Sequence, residues 1–109
     1  MHIGDLDGVA TVRKSGWTAK VTVYVHDGAH NPVVGATVSG QWTSGATGVS
    51  SCVTDRRGRC FLTSPRMTLS TPSVTFSAQS IDLTGYNYAS GQNHDPDGDS
   101  DGTSIVVAH

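Results

Sequence analysis

The sequence predicts an all-β protein: a single domain, residues 1–109, built as a Greek-key β-sandwich of about seven short strands. Three observations carry this reading. Every apolar pattern along the chain has period two, and none has the three-to-four spacing of a helix. Val, Thr and Ser outweigh helix formers throughout. Turn formers interrupt the pattern at short intervals, at Ser15-Gly16, Asp27-Gly28, Asn31-Pro32, Ser44-Gly45 and Gly91-Gln92-Asn93.

The elements follow in chain order. The first strand has two readings: residues 9–14, with Gly4-Asp5-Leu6-Asp7-Gly8 as a preceding acidic turn, or residues 1–6 themselves. Trp17, Ala19, Val21, Val23 and Val25 then alternate with Thr18, Lys20, Thr22, Tyr24 and His26, the signature of a long half-buried strand. Ala36, Val38, Gly40 and Trp42 alternate with Thr37, Ser39 and Gln41 in the next. Strands are expected around residues 49–54 and 59–64, at Val74-Thr75-Phe76-Ser77-Ala78, briefly at residues 86–88, and finally at Thr103, Ile105 and Val107. The inward set should include Val21, Val23, Val25, Val38, Trp42, Leu62, Val74, Phe76 and Ile105. Trp17 and Trp42 fall in the inward register, so core packing outweighs a sugar-stacking role.

Cys52 and Cys60 enclose Val53-Thr54-Asp55-Arg56-Arg57-Gly58-Arg59, a spacing that fits no paired-cysteine zinc site. Asp55-Arg56-Arg57-Gly58 reads as a four-residue turn, with Gly58 free to take positive φ. The cysteines are therefore expected to face each other across a hairpin and to form a disulfide, which implies an oxidising compartment. An antibody-type domain joins its sheets through cysteines far apart in sequence, and these two are too close for that. The sandwich is immunoglobulin-like in architecture but not in its covalent staple.

Four aspartates at alternate positions, Asp95, Asp97, Asp99 and Asp101, sit among Pro96, Gly98 and Gly102. Carboxylates held that close repel one another unless a cation sits among them, and clustered hard oxygens favour calcium. Numbered from Asp97, the loop matches an EF-hand through Gly102, but the twelfth position is Ala108 rather than glutamate, which excludes an EF-hand proper. In a seven-stranded sandwich the loop before the last strand shares one end with the start of the first strand and the loop after the second. Asp5 and Asp7 are thus candidate partners of the aspartate loop in a calcium site if they precede the first strand, and Asp27 is a candidate outer ligand. The bland alternative is an acidic turn held by Asx hydrogen bonds. The histidines are His2, His26, His30, His94 and His109; His26 and His30, four residues apart, flank a turn rather than lie on a helix, and all five are expected as exposed strand-end and loop residues.

Val25-His26-Asp27, followed by residues 31–42 (Asn-Pro-Val-Val-Gly-Ala-Thr-Val-Ser-Gly-Gln-Trp), resembles the second and third strands of bacterial immunoglobulin-like domains of the invasin/intimin type. The Thr54-Asp55-Arg56-Arg57-Gly58 turn resembles the hairpin that follows in that family. Both termini look like a subgroup appended to secreted bacterial hydrolases and surface proteins. The resemblance implies a spacer, stalk or adhesive module, and leaves the ligand open.

Charge and motifs narrow the function further. The net charge is −2; residues 1–88 balance at +2, whereas residues 89–109 carry four aspartates and no base. Such a tail argues against nucleic acid as a partner. No apolar run is long enough to span a membrane, so no membrane insertion is expected. The pattern begins without a leader, as expected of a module excised from a larger secreted or cell-surface protein. There is no glutamate, no Gly-x-Ser-x-Gly elbow and no His-Glu-x-x-His pair, which argues against an enzyme. The expected function is a non-catalytic extracellular accessory or spacer module stabilised by calcium, with other domains of its parent polypeptide as partners. The alternative is a module that binds carbohydrate, cell wall or another cell-surface ligand through exposed aromatics such as Tyr86 or Tyr88.

Overall fold

Alternating strands can bury one face only by pairing sheets, and the chain does so with two antiparallel sheets. The computed structural model describes every residue except Asp97 and Asp99. Its strands are β1 (His2–Arg13), β2 (Gly16–His26), β3 (Thr37–Thr43), β4 (Val49–Val53), β5 (Arg59–Thr63), β6 (Ser73–Asp82) and β7 (Ser104–Ala108), with a short 3-10 turn at Ser90–Gln92. One sheet has the order β1-β2-β5 and the other β4-β3-β6-β7, so successive strands interleave between layers in a Greek-key manner. None of the residues expected inward is more than 3 % exposed. Both tryptophans lie in the core, and their indole N–H groups are satisfied at its edge: Trp17 donates to the Thr71 carbonyl and Trp42 to Ser50 Oγ, each at 2.9 Å. Among the described residues, no helix is long and apolar enough to cross a membrane.

The two readings of the first strand resolve into one long strand. β1 runs unbroken from His2 to Arg13 and pairs with β2 along its length, so Asp5 and Asp7 lie within it. A β-bulge at Gly4 makes this possible. Ile3 pairs with Val25 and Asp5 with Tyr24, leaving Gly4 as the extra residue. In a regular strand Ile3 and Leu6 would face opposite ways; the inserted residue turns both into the core, where each is fully buried. A Cβ on Gly4 would lie 2.1 Å from His26 Nδ1, so only glycine fits here.

Two expectations are corrected. Residues 86–88 form no strand: β6 already reaches Asp82 with β3 and β7 on its two edges, and Gly85 turns the chain with φ +88°. The cysteines form the disulfide but do not face each other across a hairpin. β4 belongs to one sheet and β5 to the other, so the Cys52–Cys60 bond, with Cα atoms 5.7 Å apart, joins the two sheets. The turn chemistry is as expected, with Gly58 N–H donating to the Asp55 carbonyl and Gly58 at φ +73°. What takes the chain between layers is buried Thr54. Its hydroxyl donates to the Val33 carbonyl at 2.7 Å and accepts from Ala36 N–H at 2.9 Å, tying the crossing to the segment ahead of β3. Both cysteines sit on sheet edges, so the disulfide closes one open side of the sandwich. On the other side β1 packs on β7, where a Cβ on Gly8 would lie 2.6 Å from Val107.

Candidate functional site

Three segments converge where β1 begins. The first is β1 itself, whose opening residue, His2, pairs across the ladder with His26, the last of β2. The second is the turn after β2. Asp27 shapes it: its Oδ1 accepts from Ala29 and Asn31 N–H, both at 2.9 Å, and its carbonyl accepts from His30 N–H. Held this way, His30 takes φ +63°, a left-handed conformation uncommon for a non-glycine residue. The backbone hydrogen bond from Asn31, the largest influence, holds the Asp27 carboxyl below its usual pKa.

The third segment, ahead of β7, contributes residues 87–94 and 102–103. It docks along the outer edge of β1: the terminal amino group donates to the Asn87 carbonyl, Ala89 N–H to the Met1 carbonyl, and His94 N–H to the Ile3 carbonyl. Asn93 fastens it. Its Oδ1 accepts from Ile3 N–H at 2.7 Å, while its amide donates to Tyr88 Oη at 2.7 Å and Thr103 Oγ1 at 3.0 Å. Gly102, at φ +87°, packs against the Asn93–His94 backbone so closely that a Cβ would lie 2.6 Å from His94 N.

These placements gather four of the five histidines; they are strand-end and loop residues as expected, but of the four only His30 is exposed. His2 is 2 % exposed. Its ring centroid lies 5.2 Å from those of His30 and His94 and 6.2 Å from that of His26. His30 and His94 are 5.3 Å apart, and His26 is 6.1 Å from His30. One ring nitrogen from each of His2, His30 and His94 lies within 4.8 Å of the other two. His109, by contrast, packs at a tilt against Trp17 at the opposite end, with ring centroids 4.8 Å apart.

The electrostatics favour neutral rings at His2 and His26. Burial pushes the His2 imidazole below its ordinary pKa of 6.5, and His94, His30, His26 and the amino terminus push the same way. Burial also lowers His26, with His30 and His94 adding to it and Asp27 opposing. Among the described residues, neither ring nitrogen of His2 has a hydrogen-bond partner, nor does His26 Nδ1. Each buried polar atom left this way costs about 1–3 kcal/mol. His94 Nδ1 lies 3.2 Å from the Gln92 carbonyl, which can only accept, so a neutral His94 ring carries its proton on Nδ1 and its lone pair on Nε2. Such a group of lone pairs can hold a borderline divalent metal ion.

The expected aspartate ligands that the structure describes lie partly in β1 and partly in the loop before β7. Asp5 and Asp7 are half-buried along β1. The Asp95 carboxylate accepts from Gly98 N–H at 3.2 Å and from the Ser100 hydroxyl, and Asp101 Oδ1 accepts from Thr103 and Ser104 N–H at 2.8 and 2.7 Å. Asp97 and Asp99 lie outside the described residues. Among the described residues, the histidine trio is the one group of three side chains within shared metal reach. As expected of a seven-stranded sandwich, the loop before β7, the turn after β2 and the start of β1 share one end. Of histidines 2, 26, 30 and 94 only His26 and His30 are close in sequence, across a turn, so the sequence carries no local motif for the imidazole group as a whole. At the other end, a cleft of about 340 Å³ opens beside the β1–β2 turn, lined by Trp17, Thr18 and the exposed Arg13 and Arg66. Comparison with known proteins finds no matching family model, no similar curated protein and no similar solved structure.

Proposed function

We propose that the chain is a non-catalytic spacer or accessory module of a secreted or cell-surface bacterial protein, immunoglobulin-like and of the invasin/intimin kind, with neighbouring domains of its parent as partners. The observation that carries this is the placement of the chain ends. The molecule measures 44 × 24 × 21 Å. Met1 is anchored to Asn87 at the histidine end, while His109 is anchored to Leu69, Thr71 and Trp17 beside the β1–β2 turn. The chain therefore enters at one end of the long axis and leaves at the other, the geometry of a link in a string of domains. The strand order supports an immunoglobulin-like class, in the variant whose fourth strand joins β3 rather than β5. The disulfide supports an oxidising compartment.

Calcium belongs to this proposal at residues 95–101, where it would stiffen the loop that follows the segment docked on β1. The adhesion alternative rests on exposed aromatics. Tyr86 is 47 % exposed, but Tyr88 is half-buried and hydrogen-bonded to Asn93, which leaves a thin platform and favours the spacer. Small-angle scattering from two copies joined in tandem, with chelator and with millimolar calcium, tests the reading. An extended particle roughly twice the 44 Å length of one copy, more rigid with calcium, is expected. A compact particle with the copies side by side would sink the spacer, and identical profiles in the two buffers would remove calcium from it.

A further inference from the structure

We propose that His2, His30 and His94 form a binding site for a divalent transition-metal ion of the zinc class, with His26 as a flanking fourth imidazole. This goes beyond the spacer reading and does not depend on it. The donor set selects the ion. Three imidazole nitrogens without a carboxylate or thiolate suit zinc, copper or nickel, and are poor ligands for calcium or magnesium. Metal–nitrogen bonds of about 2.0–2.1 Å place tetrahedral ligand nitrogens about 3.3–3.5 Å apart. The nitrogens here lie within 4.8 Å of one another. Rotation of the exposed His30 ring and the half-exposed His94 ring would close that gap without moving β1.

Buried His2 is the independent indication. Its ring is 2 % exposed, sits in the middle of the cluster, and has no hydrogen-bond partner among the described residues on either nitrogen. A plain stack of neutral rings leaves that side chain buried and unsatisfied, whereas a bound ion takes up its lone pair. The surrounding groups orient the other two ligands. The Gln92 carbonyl holds the proton of His94 on Nδ1 and leaves Nε2 to bind, the carbonyl–histidine arrangement common behind metal ligands. Asp27 builds the turn that presents His30, and Asn93 fixes the backbone that presents His94. The bulge glycine, Gly4, clears the space taken by His26. The ligands come from the start of β1, the turn after β2 and the segment before β7, so the ion would pin three otherwise separate pieces of chain together.

The test is a titration of the chelator-treated protein with zinc, followed by calorimetry and by the His2 ring proton signals in NMR. Cobalt serves as a visible-spectrum probe of coordination. The expected result is one saturable equivalent of zinc, a shift of the His2 ring signals and a higher melting temperature. H30N, whose asparagine tolerates the left-handed backbone, and H94Q should each weaken binding roughly tenfold or more. H109Q, at the far end of the molecule, should bind as the parent does. Absence of saturable binding would overturn the proposal. So would zinc binding undiminished in both H30N and H94Q, or weakened equally in H109Q.

Discussion

Asn93 shows how much one side chain can decide. From the sequence it reads only as part of a turn, yet it uses both ends of its amide to tie Ile3, Tyr88 and Thr103 together. N93A leaves the Ile3 N–H without its acceptor and frees the segment that carries His94. We expect a loss of about 1–3 kcal/mol, measured as a lower urea midpoint. The acidic residues make a different prediction. Burial opposes it, but the backbone N–H groups of Arg57 and Arg59 hold the Asp55 carboxyl below its ordinary 3.8, with the Arg59 side chain adding to them. Those of Ser104 and Thr103 do the same for Asp101. A carboxyl with a depressed folded pKa binds fewer protons than in the unfolded chain. Its contribution is therefore fully present above the ordinary value and is lost as pH falls through the folded value. Melting curves of the parent, D55N and D101N should differ near neutral pH and converge as the pH drops below about 3.8.

At the scale of the elements, the period-two pattern carried most of the information. β2, β3, β6 and β7 lie where alternation placed them because one face of each is covered by the opposite sheet and the register allows no other solution. β1 reads as two alternatives in the sequence because Gly4 breaks the alternation between Ile3 and Leu6, and a bulge leaves no mark except a glycine. The allocation of β4 and β5 was not legible. A turn with Asp55 first and Gly58 last suits a hairpin and a crossing between sheets equally well, and the choice is made by Thr54 hydrogen bonds to distant Val33 and Ala36. The disulfide tests that allocation. C52S/C60S should lower stability by about 2–3 kcal/mol, read as the difference in urea midpoint between oxidised parent and variant. The loss should accompany β4 and β5 separating at the sandwich edge, visible as faster amide exchange in those two strands than in β2 and β3.

For the molecule as a whole, sequence reasoning reached the architecture and the end of the sandwich where loops gather, but not the side chains that meet there. Carboxylates in a short run advertise themselves; imidazoles drawn from residues 2, 26, 30 and 94 become neighbours only after both sheets have formed.

The side-by-side packing of β1 and β7 has a mechanical consequence. Each strand leads towards the β1–β2 turn, so the two run parallel across the edge of the sandwich, one carrying the first residue and the other the last. Tension applied to the two chain ends would pull β1 lengthwise past β2 and β7 lengthwise past β6. The hydrogen bonds of those ladders would then be loaded together rather than peeled one at a time. Force would enter beside His2, where the imidazoles cluster, while the Cys52–Cys60 bridge, on the opposite edge, would carry almost none of it.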